Sequence, residues 1–227
     1  MPVWPKSLIT IGTGLLTART ARRLRKKNTA LGEQDKALAH LTAQFGETSF
    51  WRAAGIGRKL DYADFQVATP PRTYEQFTAP IERMKRGEAD VLWPGTCAFY
   101  AVSSGTTAGR TKYLPVTEGM LEHFRQAGLD SLLYYTARVG HADMFRGRHL
   151  FLGGATQLSA IAEAKPFDAY AGDLSGITAL NLPDWVEKHL YEPGAAIAQI
   201  ADWPKKIAAI TARTASQDRS EERRVGK

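Results

Sequence analysis

The chain has 227 residues, 44% hydrophobic and 23% charged, an ordinary globular composition with enough length to bury a core. Its single cysteine excludes an internal disulfide and fits a reducing compartment, so the cytoplasm is the expected location. The net charge of +7 is concentrated at two ends, with six positive charges and no acid in residues 19–27 and a net two in the last nine; the near-neutral remainder excludes a nucleic-acid footprint spread over the whole surface.

In chain order, the apolar run Leu8–Ala18 comes first. It is shorter than the roughly 20 residues a membrane span requires, and its arginines follow it, the reverse of a signal peptide. Residues 1–30 read as a basic arm or surface helix. Weak attachment of residues 8–27 to an acidic membrane surface stays open. Leu31–Gly46 reads as a helix with Leu31, Leu38, Leu41 and Phe45 on one face and Gly46 as its stop. "FWRAAGIGRKL" is a short helical turn running into a glycine-rich loop. "DFQVATPP" is a brief extended piece closed by Pro70 and Pro71.

Thr73 and Gln76 fit a capping box, with Pro80 restarting the helix and Gly87 ending it. Thr96–Val102 is the best strand in the chain, and "KYLPV" is again extended because Pro115 forbids a helix. Thr117 caps a long helix over Glu118–Val139, with Met120, Leu121, Phe124, Leu132 and Tyr135 as its buried face. His149–Ile161 is a second strand–glycine–hydroxyl unit. Helices follow over Asp184–Leu190 and Ala195–Arg213, the latter with a break at Pro204. Residues 31–215 form one partial α/β domain. Residues 216–227 have nothing to bury and read as a disordered or foreign tail.

Between the two extended pieces lies "VSSGTTAGRTKYLPVT". Gly105 and Gly109 let backbone N–H groups approach an anion. Ser103, Ser104, Thr106 and Thr107 supply hydroxyl donors, and Lys112 supplies a point charge. A triphosphate is the ligand such an inventory suits. The pattern Ser-Ser-Gly-Thr-Thr-x-Gly-x-x-Lys-x-x-Pro is not a Walker A loop, which has Gly-Lys-Ser/Thr followed by a helix.

At these residues the chain resembles the ATP-binding motif of acyl-adenylate-forming enzymes. With "TPPRTYEQFTAPIERMKRGEADVLWPG" ahead of the loop, the fuller resemblance is to the GH3 (auxin-responsive promoter) acyl-acid amido synthetases. It is specific from Leu31 to about Thr117 and looser to Arg213. The resemblance implies part of the large N-terminal domain of an adenylate-forming, firefly luciferase-like ligase, with mixed sheets and packed helices. It implies ATP-dependent adenylation of a carboxylic acid, then amide formation with an amino acid or other amine. ATP and Mg²⁺ are the expected cofactors. Ser103, Ser104, Thr106 and Thr107 would contact phosphate, Gly105 and Gly109 would permit close approach, and Lys112 would neutralise charge. The family's Tyr-x-x-Ser-Glu motif is not found, since Tyr191 is followed by Glu192 and Pro193. The reading is therefore of an N-terminal fragment, inactive alone, whose metal ligands lie further on.

Two alternatives share these residues. An adenylate-forming ligase that passes its acyl group to coenzyme A would use the same loop. A non-catalytic module would bind acidic surfaces through the basic arm. Elsewhere the plainer readings prevail. Cys97 is a small buried hydrophobe. His40, His123, His141, His149 and His189 lack metal-ligand spacing. Asp168 and Asp173 belong to a solvated loop, Gly153–Ser159 is a tight turn, and Trp51, Trp93, Trp185 and Trp203 are core residues. No catalytic residue is assigned.

Overall fold

The structure, a computed structural model, describes residues 6–25, 30–57, 60–103 and 111–215. It is a mixed α/β chain that divides into two compact units. One comprises Asn28–Glu118 and Leu158–Leu174; the other comprises Met1–Lys27, Gly119–Gln157 and Ser175–Lys227.

The first unit holds α2 (Ala30–Phe45), α3 (Ser49–Ala53), α4 (Tyr62–Ala68), α5 (Tyr74–Lys85), β1 (Phe99–Ser103) and β2 (Lys112–Val116). It also holds β4 (Ser159–Ala160) and β5 (Tyr170–Gly172); β3 lies in the other unit. Its sheet has the order β2-β1-β5-β4. β1 runs antiparallel to β2 and parallel to β5, and β4 is antiparallel to β5. The sheet is thus mixed, as the sequence predicts.

Its core gathers Ile81 and Met84 of α5, Val91, Cys97 and Tyr100 with Ile161, Ala169 and Ala171. The first residues of α3 bond to the neighbouring loop, Ser49 N–H to the Asp90 carbonyl and Phe50 N–H to that of Val91. The Trp51 indole N–H reaches the Leu92 carbonyl at 3.0 Å. Gly87 ends the α5 segment with φ +83°, and a Cβ there would lie 2.6 Å from the Phe167 ring, so only glycine fits both the turn and the contact.

Two local expectations change. Residues 62–68 are helical, because Asp61 accepts the Asp64 N–H at 2.9 Å and nucleates a turn at its N-cap. α5 also runs unbroken through Pro80. Burial of Pro80, Ile81 and Met84 outweighs the one intrahelical hydrogen bond that proline removes. The Thr73 N–H does donate to Gln76 Oε1, at 2.8 Å, as the capping box requires.

The second unit contains α1 (Lys6–Arg25), α6 (Glu118–Val139, entering from the first unit at Glu118) and β3 (His149–Leu150). α7 (Leu174–Leu180), α8 (Asp184–His189), β6 (Tyr191–Glu192), α9 (Ala195–Ala198) and α10 (Trp203–Thr214) complete it. β3 and β6 pair in parallel. α6 buries Leu121, Leu133 and Thr136, while Tyr135 is exposed. Thr136 Oγ1 meets Thr17 Oγ1 of α1 at 2.9 Å. The break ahead of α10 comes at its N-cap Asp202, with Pro204 inside the first turn, where a missing N–H costs nothing. Trp185 and Trp203 are exposed rather than core residues.

Two buried charged side chains of this unit, Glu192 and Lys206, have partners. Glu192 is 2% exposed, with Arg148 Nε 2.5 Å from Oε1 and Arg213 Nε 2.5 Å from Oε2. Lys206 donates to the carbonyls of Gly153 and Gly154, both at 3.0 Å, and Ser175 Oγ accepts the Gly154 N–H at 2.7 Å. These bonds hold the Gly153–Gly154 segment, which is irregular main chain rather than the expected tight turn. No helix among the described residues is long and apolar enough to cross a membrane.

Candidate functional site

The hydroxyl-glycine segment joins β1 to β2. Ser103 is the last residue of β1 and Lys112 the first of β2, and they face each other in the ladder. Ser104, Gly105, Thr106, Thr107 and Gly109 lie outside the described residues. What the structure provides is the frame. Five consecutive residue pairs from Phe99–Val116 to Ser103–Lys112 hold the ends of the segment one strand spacing apart.

β2 is the edge strand. Tyr113 turns its main chain outward, where the Tyr74 hydroxyl accepts its N–H at 2.8 Å and approaches its carbonyl at 3.3 Å. Pro115 stands two residues on, in the same outward register, so its missing N–H removes no ladder bond. Beneath, Lys85 is 6% exposed. Its ammonium pairs with Glu82 at 2.9 Å and lies 4.3 Å from the centre of the Tyr113 ring. α5 therefore holds the strand that carries Lys112.

Lys112 is part-exposed. Its Nζ lies 4.0 Å from Glu75 Oε1 and 5.1 Å from the Tyr74 ring centre. The Glu75 carboxyl is held below the usual carboxylate range by its own first-turn N–H, then by the Thr73 hydroxyl, with Lys112 a smaller cause. Among the described residues, the ammonium at this end of β2 faces an exposed carboxylate and an aromatic ring.

A second feature lies within the other unit. A cavity of about 640 Å³ is walled by Phe124, Leu132, Phe145, Phe151 and Trp185, with Arg125 also on its wall. Phe124 and Leu132, expected to be core, line this space. Arg125 donates to Glu122 at 3.1 Å and to the Asn181 carbonyl at 3.4 Å. Burial pushes the Tyr191 hydroxyl, also on the wall, above its ordinary value. A mostly apolar cavity of this size with one cation suits a small amphipathic anion.

The sequence reading missed Tyr74, Glu75 and Arg125 as site residues. Tyr74 is legible only as part of the segment TPPRTYEQFTAPIERMKRGEADVLWPG that carries the resemblance, and nothing local marks Arg125. Asp168 pairs with Lys165 at 2.6 Å on the surface. Cys97 is buried, and desolvation raises its thiol above the ordinary value. Among the described residues no three His, Cys, Asp or Glu side chains come together to hold a metal.

The family model for the GH3 family N-terminal domain matches residues 22–224. The jasmonoyl–L-amino acid synthetase JAR6 of Nicotiana attenuata is 24% identical over 66% of this chain and 24% of its own length. A probable indole-3-acetic acid-amido synthetase, GH3.2 of Oryza sativa subsp. japonica, is 28% identical over 52% of this chain and 19% of its own. Among solved structures, the GH3.15 acyl acid amido synthetase aligns with a TM-score of 0.59 at 21% identity, covering 91% of this chain and 33% of that one. The chain therefore spans about a fifth to a quarter of these curated relatives.

Proposed function

Because the chain belongs to the GH3 family, carrying its N-terminal domain over residues 22–224, we propose that it is the nucleotide- and acid-binding portion of an ATP-dependent acyl acid amido synthetase. The observation that carries the reading is the hairpin closed by Ser103 opposite Lys112. It brings the ends of a hydroxyl- and glycine-rich segment together with an ammonium at its mouth. The relatives' names specify amide products, which favours an amine acceptor over coenzyme A.

In this reading Ser103, Ser104, Thr106 and Thr107 donate to the triphosphate. Gly105 and Gly109 let main-chain N–H groups reach it, and Lys112 leaves Glu75 to neutralise phosphate charge. A carboxylate attacking the α-phosphorus brings two anions together, and the fixed donors offset that repulsion. Taken by itself, the cavity of the second unit suits storage of an amphipathic carboxylic acid, its apolar body among Phe124, Phe151 and Trp185. Its carboxylate takes the place of Glu122 on the Arg125 guanidinium. Mg²⁺ would screen the charge of the triphosphate, with its protein ligands expected outside the described residues. The cytoplasm fits such a substrate, and the amine acceptor is an amino acid by analogy with the relatives.

The test is equilibrium binding to the intact chain. ATP should bind, and replacing Ser104, Thr106 and Thr107 together by valine should abolish binding. Aromatic or aliphatic carboxylic acids should quench Trp185 fluorescence, with Trp185→Phe as the control. If ATP is ignored, or binds the valine variant equally well, the reading fails.

A further inference from the structure

α1 is built the wrong way round for a helix of a water-soluble domain. The side it turns inward is small and hydroxylic: Thr20 is 4% exposed, Thr13, Thr17 and Ala21 are half-buried, and Thr17 bonds to Thr136. The aliphatic side chains whose exposure is described point out, with Ile11 61%, Leu15 70%, Leu16 43% and Leu24 58% exposed. Arg19, Arg22, Arg23 and Arg25 are exposed as well.

The order along the helix is informative. Ile11, Leu15, Arg19 and Arg22 follow one another at helical spacing on one side, and Leu16 and Arg23 run beside them. The stripe is aliphatic toward the N-terminus and cationic toward the C-terminus, over about 16 Å of helix. The first 32 residues contain seven lysines and arginines and no aspartate or glutamate; Glu33 is the first acid. The family match begins at residue 22, so Ile11, Leu15 and Leu16 lie ahead of the shared domain.

We infer that α1 is a peripheral docking surface for anionic lipid bilayers. The arginines supply charge complementarity to acidic headgroups, each contributing about fivefold in affinity near such a surface. Ile11, Leu15 and Leu16 enter the headgroup–acyl boundary, which gives the aliphatic half of the stripe a partner that water does not offer. A nucleic acid would use the arginines but leave the aliphatic half exposed.

The experiment is co-sedimentation of the intact chain with vesicles of phosphatidylcholine alone and of phosphatidylcholine with about 30% phosphatidylserine. Binding is expected only to the second, and should fall steeply as salt is raised. Arg22→Gln with Arg23→Gln should weaken it roughly 25-fold. Leu15→Ser, alone and with Ile11→Ser, should weaken it several-fold. These positions are exposed, so circular dichroism should show unchanged helix content, and ATP binding should be retained. Absence of binding, or equal binding to both vesicles, overturns the proposal. So does loss in the arginine variant alone with none in the serine variants, or displacement by a short RNA at equal charge.

Discussion

The Tyr74 hydroxyl satisfies both main-chain groups of Tyr113, accepting its N–H at 2.8 Å and facing its carbonyl at 3.3 Å. One side chain from α5 thereby completes the open edge of β2, immediately after Lys112. Tyr74→Phe removes both interactions and leaves the ring in place. We expect a loss of about 1 kcal/mol in denaturant unfolding, and weaker ATP binding because the strand bearing Lys112 loosens. An unchanged unfolding midpoint would show that the edge needs no clip.

Lys112 acts by its charge at the mouth of the hairpin. A hydrogen bond to a charged group contributes about 1.5–3 kcal/mol, so Lys112→Ala should raise the Kd for ATP about 10- to 100-fold. Glu75→Gln removes the competing carboxylate 4.0 Å away and should tighten binding modestly. Titration calorimetry with ATP measures both. An alanine variant that binds like the parent would remove Lys112 from the phosphate site.

His149 is half-buried, with a ring nitrogen 3.1 Å from the Met144 carbonyl. Desolvation pulls its pKa below the ordinary value, although the carbonyl opposes that. The unfolded chain therefore takes up a proton before the folded one does. This residue costs no stability above pH about 6.5, and stability falls as pH drops below that value toward the folded pKa. Urea unfolding at neutral and mildly acidic pH should show this decline, and His149→Gln should flatten it. The same slope in the variant would assign the decline to other groups.

Gly176 lies in α7 against the main chain of Ala155 and Thr156. A Cβ there would stand 2.1 Å from the Ala155 carbonyl oxygen, a main-chain atom that cannot swing aside. Gly176→Ala should cost about 2–3 kcal/mol, seen as a lower thermal midpoint. Gly128 has open space at its Cβ position and sits mid-helix, so Gly128→Ala should stabilise by about 0.5–1 kcal/mol. Equal effects at the two positions would contradict the packing described.

Glu192 tests the buried ion cluster. Glu192→Gln leaves Arg148 and Arg213 facing a neutral amide, and because both guanidiniums are part-exposed the cost should be about 1–2 kcal/mol, below that of a fully buried pair. A lower unfolding midpoint in the Glu192→Gln variant is the expected result. If Arg213→Ala, made at the more exposed partner, proves more damaging, Glu192 is not the keystone of the cluster.

Much of the local structure was written in the sequence. Thr117 and the uninterrupted pattern after it located α6 to the residue, and Pro115 with its β-rich neighbours marked β2. The Ser103–Lys112 motif carried the family. These are local signals, in which caps, proline geometry and a dense motif act within a few residues of themselves. The helix over 62–68 was misread because one N-cap aspartate outweighed the β-branched and aromatic residues that suggested a strand. Pro80 was misread because tertiary burial, not local propensity, keeps α5 continuous. Only the fold could show that Phe124 and Leu132 wall a cavity with Arg125, that Tyr74 closes the edge of β2, or that α1 turns its threonines inward and its leucines out. Such facts depend on which surfaces meet across long stretches of chain. Periodicity tells which residues share a face, but the partner that face finds is settled by packing.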